Sequence, residues 1–443
     1  MFSTISDNQR IRRVAFASCI GTTIGWYDFF LYNLATILIF KTQFFQGNSK
    51  DLMSALLLYG VGFAARPVGG LVCGHFGDKI SRKTMLVTTL LVTGIATFLI
   101  GVLPPYETIR DWAPIVLVGL RFAQGLSIGG EWGGAVILPV EHSSTNQRGY
   151  YASWTQFGVP AGLFLSNAIF LGLVPWLPEK HGWRVPFLLS IVLVGIGLYI
   201  RRSLTDAEGF VRTKPSCSKL PLGDVWRHHR KHVLLAMGAK VAENGVFYIL
   251  TTFILIFASD DYAKYAHYDR NTLFFALSLA SVMLIPAILF YGHLSDRIGR
   301  KPVYLFGAIF TAAFAFPFFM MVKSGDPNLM TLGIVTGLVL GWAAMYSPQA
   351  SFFAELFNTR VRYTGMSLAA QVTPVFVGGL APFISVTLMK LTSSIWPVAV
   401  YLIALCVVTI VSVILIPETV KRTLFDDDDG FFDDQMPFTK API

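Results

Sequence analysis

Charge is what this chain has least of: only 14% of its 443 residues are Asp, Glu, Lys or Arg, against 54% that are hydrophobic. A soluble globular domain carries about 25% charged residues, so that class is excluded. Cysteine is scarce too. Cys19, Cys73, Cys217 and Cys406 stand at spacings that suit neither a zinc site nor a disulfide framework and read as packing residues. The sequence offers no Ser/His/Asp constellation, phosphate-binding glycine loop or metal-ligand cluster, so no enzymatic activity, cofactor or metal is expected. The first apolar stretch is too long for a cleavable leader and lacks a small-residue cleavage site, so it is expected to remain as a span.

What the chain has instead is apolar sequence in long runs, with a mean hydropathy of +0.58. The runs predict an all-α polytopic membrane protein with twelve spans of about 20 residues. They fall at 14–40, 52–76, 84–103, 112–138, 151–174, 184–200, 233–258, 272–294, 302–322, 330–354, 364–390 and 395–416. The net charge of +9 would suit nucleic acid if it were clustered. Most Lys and Arg fall instead on one side of the membrane: the N-terminus, the loops after spans two, four, eight and ten, the central loop and the tail. The positive-inside rule makes that side the cytoplasm and puts both termini there. The partner implied is a lipid bilayer, not nucleic acid.

A short charged sentence occurs twice: Gly74-His75-Phe76-Gly77-Asp78-Lys79-Ile80-Ser81-Arg82-Lys83 and Gly292-His293-Leu294-Ser295-Asp296-Arg297-Ile298-Gly299-Arg300-Lys301. Each follows an apolar run and reads as a tight turn between two spans, with the glycines serving the turn. Gly21 with Ile37–Phe40 matches Gly238 with Ile254–Phe257, and Glu141 to Arg148 matches Glu355 to Arg362, at nearly the same offset. The chain is two copies of one plan, expected as two pseudo-symmetric six-helix bundles at 1–200 and 232–418. Between them lies a basic central loop, 201–231, whose His228, His229 and His232 are expected to be solvated beside anionic lipid. The tail, 419–443, with Asp426–Asp429, Asp433 and Asp434, is expected to be disordered and receives no role. Parallel repeats of this kind typify secondary transporters with a central cavity between the halves.

Six charged residues lie well inside the spans: Asp28, Arg66, Arg121, Glu131, Lys240 and Glu243. Unpaired at a helix centre each costs about 2.5–3.5 kcal/mol, so they are expected to face one another or water. Three cations and three carboxylates are expected to neutralise one another when the site is empty. A carboxylated solute then displaces an internal carboxylate and favours proton uptake. Gly21, Gly25, Asp28 and Tyr32 share one face of span one, with Asp28 among Trp26, Tyr27, Phe29 and Phe30. Gln124 accompanies Arg121. Plainer readings stand beside these: Lys240 and Glu243 as a local i,i+3 pair, Arg66 before Pro67, Gly69 and Gly70 as a helix anchor, and Glu131 among four glycines as packing. Asp28 and Arg121 have no charged counterpart in the other copy, where Gly245 and Val335 stand, which favours a task performed once.

The doubled Gly-x-x-x-Asp-(Arg/Lys)-x-x-Arg-Lys turn resembles the signature loop of the major facilitator superfamily, and Arg121-Phe122-Ala123-Gln124-Gly125 looks like that superfamily's span-four motif. Gly25–Phe29, Arg66–Gly70, Gly129–Gly134, Arg148-Gly149 and Arg362–Gly365 together resemble its metabolite:H+ symporter branch. The resemblance implies a proton-coupled symporter for uptake of a small organic acid, such as shikimate or 2-oxoglutarate, in a bacterial inner membrane, working as a monomer. It also admits a zwitterion such as proline or betaine, and more remotely a non-transporting sensor. It implies a gate in which Asp78 meets the N-terminal end of span eleven and Arg82 pairs with Glu141. Asp296, Arg300 and Glu355 form the symmetric set, with Arg148 and Arg362 alongside. Two departures stand out: Ser81 replaces the usual glycine, which predicts a looser first turn, and Gly158-Val159-Pro160-Ala161-Gly162 partly resembles an antiporter motif and reads as a helix bend.

Overall fold

The computed structural model describes residues 7–40, 43–45, 52–178, 181–202, 221–257, 268–359 and 361–424. Twelve long helical segments cross it. In the first six, α1 covers Asp7–Ala35, α2 Leu52–Lys79, α3 Arg82–Val102, α4 Trp112–His142, α5 Arg148–Leu173 and α6 Arg184–Arg201. In the second six, α7 covers Arg230–Phe257, α8 Arg270–Ile298, α9 Arg300–Lys323, α10 Pro327–Leu356, α11 Arg362–Thr392 and α12 Trp396–Leu415. Among the described residues, 11 helices are long and apolar enough to cross a membrane, and α2, with 28 residues, has the length for it as well. Several helices overshoot the predicted spans. At about 1.5 Å per residue, α8 with its 29 residues is far longer than the ~30 Å apolar slab. Its last turn carries the charged sentence out of that slab.

This corrects the expected role of the turn glycines. Gly74 and Gly292 lie within α2 and α8, not in the turns. A Cβ on Gly74 would stand 2.9 Å from Thr364 Cα, and one on Gly292 would stand 2.6 Å from Ser153 Cβ. Both glycines therefore permit close approach of a helix from the other half: α2 runs along α11, and α5 along α8. The turns themselves differ in conformation. Ser81 has extended backbone that any residue adopts and caps α3, accepting from Thr84 N at 3.2 Å. Gly299 sits at φ +102°, in the region that favours glycine.

Glycine also governs packing within the first half. A side chain on Gly125 or Gly129 of α4 would collide with the α2 backbone at Gly62 and Arg66. Gly133 and Gly134 make room for the Tyr363 ring from α11, whose hydroxyl donates to Gly130 O at 2.6 Å. The helices α7, α10 and α11 are each interrupted by a π-helical segment, at Ile249–Phe253, Gly337–Trp342 and Pro374–Gly378. Such segments locally shift which side chains face inward.

Part of the expected central loop is ordered. Pro221–His228 is helical, and His229 is buried with its ring 6.2 Å from that of Phe357, so it is not solvated as the charge run predicted. Apolar contact with Phe357 outweighs the exposure favoured by its basic neighbours. Cys19, Cys73 and Cys406 are free. Cys217 and the acidic tail from 425 onward lie outside the described residues.

If the glycines are there for helix approach, Gly292→Leu will part α5 from α8 where Gly→Leu in open surroundings would not. Spin labels on exposed Ile80 and Ile298 should then report a longer distance between the two turns than in the unmodified chain. An unchanged distance distribution would refute the close-approach reading.

Candidate functional site

The end of the bundle that carries the two turns is locked by a pair of related clusters. Asp78, at the last turn of α2, receives the first backbone N–H groups of α11: Tyr363 N at 3.2 Å and Thr364 N at 3.0 Å, plus the Thr364 hydroxyl at 2.8 Å. Asp296, at the matching point of α8, receives Gly149 N and Tyr150 N of α5, each at 2.8 Å. In both cases an anion occupies a helix N-terminus, where unpaired N–H groups and the helix dipole favour it. Each contact joins one half to the other.

Beside each aspartate lies a buried ionic knot. Glu141 of α4 pairs with Arg82 of α3 and, across the halves, accepts from Arg362 Nη1 at 2.5 Å. In the second copy Arg300 grips Glu355 bidentately at 3.2 and 3.0 Å and also reaches Asp296 at 2.8 Å. The cross-half partner here, Arg148, is more distant, 3.9 Å from Glu355. Its guanidinium donates instead to Arg422 O at 2.5 Å. Residues after α12 thus complete the lock, a contribution the sequence reading missed. Glu418 accepts from Arg300 N and Lys301 N, each at 3.0 Å. Thr419 donates to Glu355 at 2.6 Å, and Arg362 Nη2 reaches Leu424 O at 2.7 Å. The polar run Pro417-Glu418-Thr419 straight after an apolar span was the available signal.

At mid-depth a cavity of about 470 Å³ opens between the halves, lined by residues of α1, α2, α4, α5, α7, α10 and α11. Of the six charges inside the spans, Arg66, Lys240 and Glu243 line it. Lys240 donates to Glu243 at 2.9 Å and to Gln349 at 2.7 Å, and lies 5.3 Å from the centre of the Trp132 ring. Glu243 also accepts from Trp342 Nε1 at 3.1 Å and Asn244 Nδ2 at 2.8 Å. Its charge is spent. Arg66 has no such carboxylate. Its guanidinium packs on the rings of Phe63, Phe29 and Trp26 at 4.4, 4.5 and 5.3 Å, while Nε and Nη2 have no hydrogen-bond partner among the described residues.

The other three charges are held inside the first half, and mutual neutralisation of all six does not occur. Arg121 donates to Asn33 Oδ1 at 2.7 Å and Gln124 Oε1 at 3.3 Å, and lies over Tyr32 at 4.0 Å. Gln124 passes the chain on to Thr97 at 2.7 Å. Asp28 is fully buried, and neither carboxylate oxygen has a hydrogen-bond partner or an ion pair among the described residues. Its neighbour Thr97 donates instead to Thr93 O at 2.9 Å. Glu131 pairs with Arg201 at the end of α6, away from the cavity. Arg201 was counted with the loop because it follows the last apolar residue of its span. Gly21 and Gly25 leave the space that this pair fills.

Comparison with known proteins adds to this geometry. Residues 14–215 match the family of sugar (and other) transporters, and residues 241–428 match the Major Facilitator Superfamily. The chain is 34% identical to the shikimate transporter of Escherichia coli strain K12 over 427 residues, covering 93% of this chain and 95% of that protein. It is 30% identical to the proline/betaine transporter of the same strain, covering 95% and 86% respectively. Its fold is similar to that of the proton:xylose symporter XylE, with a TM-score of 0.75 at 14% identity over 95% of this chain and 98% of that one.

The buried knot predicts a specific cost. Glu141→Gln leaves Arg82 and Arg362 without their carboxylate, and breaking a buried pair from one side costs about 3–5 kcal/mol. The unfolding midpoint in detergent should fall markedly, whereas Arg297→Ala, exposed at the same end, should leave it in place. Equal midpoints for the two variants would count against the knot as a source of stability.

Proposed function

Because the chain belongs to the major facilitator superfamily, in its metabolite:H+ symporter branch, we propose that it carries a small organic acid together with a proton. It works as a multi-pass protein of the bacterial inner membrane. The observation that carries the reading is Arg66, at the central cavity with Nε and Nη2 unspent and no ion pair among the described residues. A carboxylate accepts from a guanidinium fork bidentately, which supplies both attraction and orientation. Two cations and one carboxylate line the cavity, leaving one positive charge for the solute to balance. Trp132, Trp342 and Phe247 give the cavity apolar walls.

Kinship with a proline/betaine transporter supports a second reading, a zwitterion held by cation–π contacts. The ring faces argue against it. Arg66 covers Trp26, Lys240 lies over Trp132, and Trp342 packs against Tyr346 at 4.3 Å and Phe247 at 4.8 Å. The protein's own cations and rings occupy the places a quaternary ammonium needs. A hydroxylated ring carboxylate of the shikimate kind fits better.

Asp28 is the proton carrier in this reading. An ionised carboxylate buried without a donor is too costly to sustain, so the group holds a proton in this arrangement and releases it when the halves rearrange and water enters. With both termini assigned to the cytoplasm by the positive-inside rule, the locked end faces inward. Asp78, Arg82, Glu141, Arg148, Asp296, Arg300, Glu355 and Arg362 act as the inner gate. Opening it separates Arg362 from Glu141, Asp78 from α11 and Asp296 from α5.

Uptake into proteoliposomes under an imposed inward proton gradient tests this, with shikimate, 2-oxoglutarate, proline and betaine as solutes. Shikimate should accumulate, and Arg66→Gln should raise its KM about 10- to 100-fold, the loss of a charge-assisted hydrogen bond. Asp28→Asn should abolish gradient-driven accumulation while sparing exchange. Accumulation that survives collapse of the gradient would sink the proton coupling; betaine transport without shikimate transport would establish the zwitterion instead.

A further inference from the structure

A second cavity, of about 410 Å³, lies between α1, α5, α7 and α8, nearer the end opposite the paired turns. On α1 the central cavity reaches Trp26 and this one Asn33, a separation of roughly 10 Å along the helix. The rings of Phe30 and Phe247, 6.0 Å apart, stand between them, one lining each cavity. Among the described residues no charged side chain lines the second cavity; its polar groups are Asn33, Asn167, Thr251 and Thr252.

Asn167 is the decisive residue. It is 1% exposed, lines the cavity, and neither its amide oxygen nor its nitrogen has a partner among the described residues. A buried polar atom left unmade costs about 1–3 kcal/mol, and helices offer an easy remedy in their own carbonyls. The neighbouring Ser166 takes it, donating to Leu163 O at 2.9 Å. Asn167 does not. The other groups have defined polarity. Arg121 can only donate, so Asn33 must turn its oxygen toward it and keep its NH2 for the cavity. Thr251 donates to Phe247 O at 2.6 Å and offers the cavity only lone pairs. The wall therefore presents the amide donors of Asn33 and Asn167, the acceptor oxygens of Asn167 and Thr251, and the Thr252 hydroxyl, without a charged group among the described residues.

We propose that this cavity is a second solute site, a vestibule that binds the hydroxyl and carboxyl edges of a hydroxylated ring carboxylate before it passes Phe30 and Phe247. The inference rests on the transport reading above and adds a waiting position to it. Hydroxyls, which donate and accept, match a wall that does both, whereas betaine has no donor to give Thr251. Arg121 ties the vestibule to the interior of the first half, since the residue that holds Asn33 also holds Gln124.

Equilibrium binding of radiolabelled shikimate to the full chain in lipid nanodiscs tests it. The unmodified chain should bind about two molecules. Asn167→Leu, which removes the unpaired amide, and Thr252→Phe, which fills the cavity from the other half without burying a new polar group, should each remove one. Arg66→Gln should weaken the other and leave the vestibule. A single site that survives both vestibule variants and is lost in Arg66→Gln overturns the vestibule while the central site stands. Absence of any saturable binding to the unmodified chain removes the substrate reading and the vestibule together.

Discussion

A charge placed in a bilayer has to be compensated, because the apolar slab offers no water to do it. Two forms of compensation account for most of the midplane and gate charges. Arg82, Glu141 and Arg362, Arg300 and Glu355, Glu131 and Arg201, and Lys240 and Glu243 use ion pairs. Arg66 spreads its cation over ring faces. Asp28 has neither. The more fully a charge is compensated by its neighbours, the less it can respond to a solute; the incompletely compensated ones are those through which binding and protonation can act.

The repeat shapes the locked end and then departs from symmetry. Asp78 and Asp296 each take two backbone N–H groups of a helix in the opposite half. The arginines that cross between halves are not equivalent: Arg362 reaches Glu141 at 2.5 Å, while Arg148 lies 3.9 Å from Glu355. Thr419 and Arg300 already fill the Glu355 carboxylate, and the segment after α12 offers Arg148 a carbonyl in exchange. Arg362 also reaches that segment, through Leu424 O at 2.7 Å, so the stretch after α12 ties both knots. The small residues at Gly74 and Gly292 are the steric condition for both.

The two cavities divide the chemistry of recognition. The central one concentrates charge and flat rings, and its ring faces are largely taken by Arg66, Lys240 and neighbouring aromatics. The outer one is uncharged and presents amides and hydroxyls.

Length and polarity of apolar runs made the twelve helices legible in the sequence, because any segment crossing lipid must satisfy its backbone internally and present apolar side chains. The duplicated turns made the two-fold plan legible for the same reason. The residues from which a site can be built were visible as well: Asp28, Arg66, Arg121, Lys240 and Glu243 are conspicuous against Leu, Val and Phe. Local partners were legible too, Lys240 with Glu243 and Arg121 with Gln124; distant partners were not. Glu131 meets Arg201, Arg121 meets Asn33, and Glu355 meets Thr419, contacts between residues far apart in the chain that depend on how helices rotate and how closely glycines let them approach. Burial cost fixes which residues must find compensation and is a property of sequence. Which neighbour supplies it is settled by helix packing, and only the tertiary structure decides that.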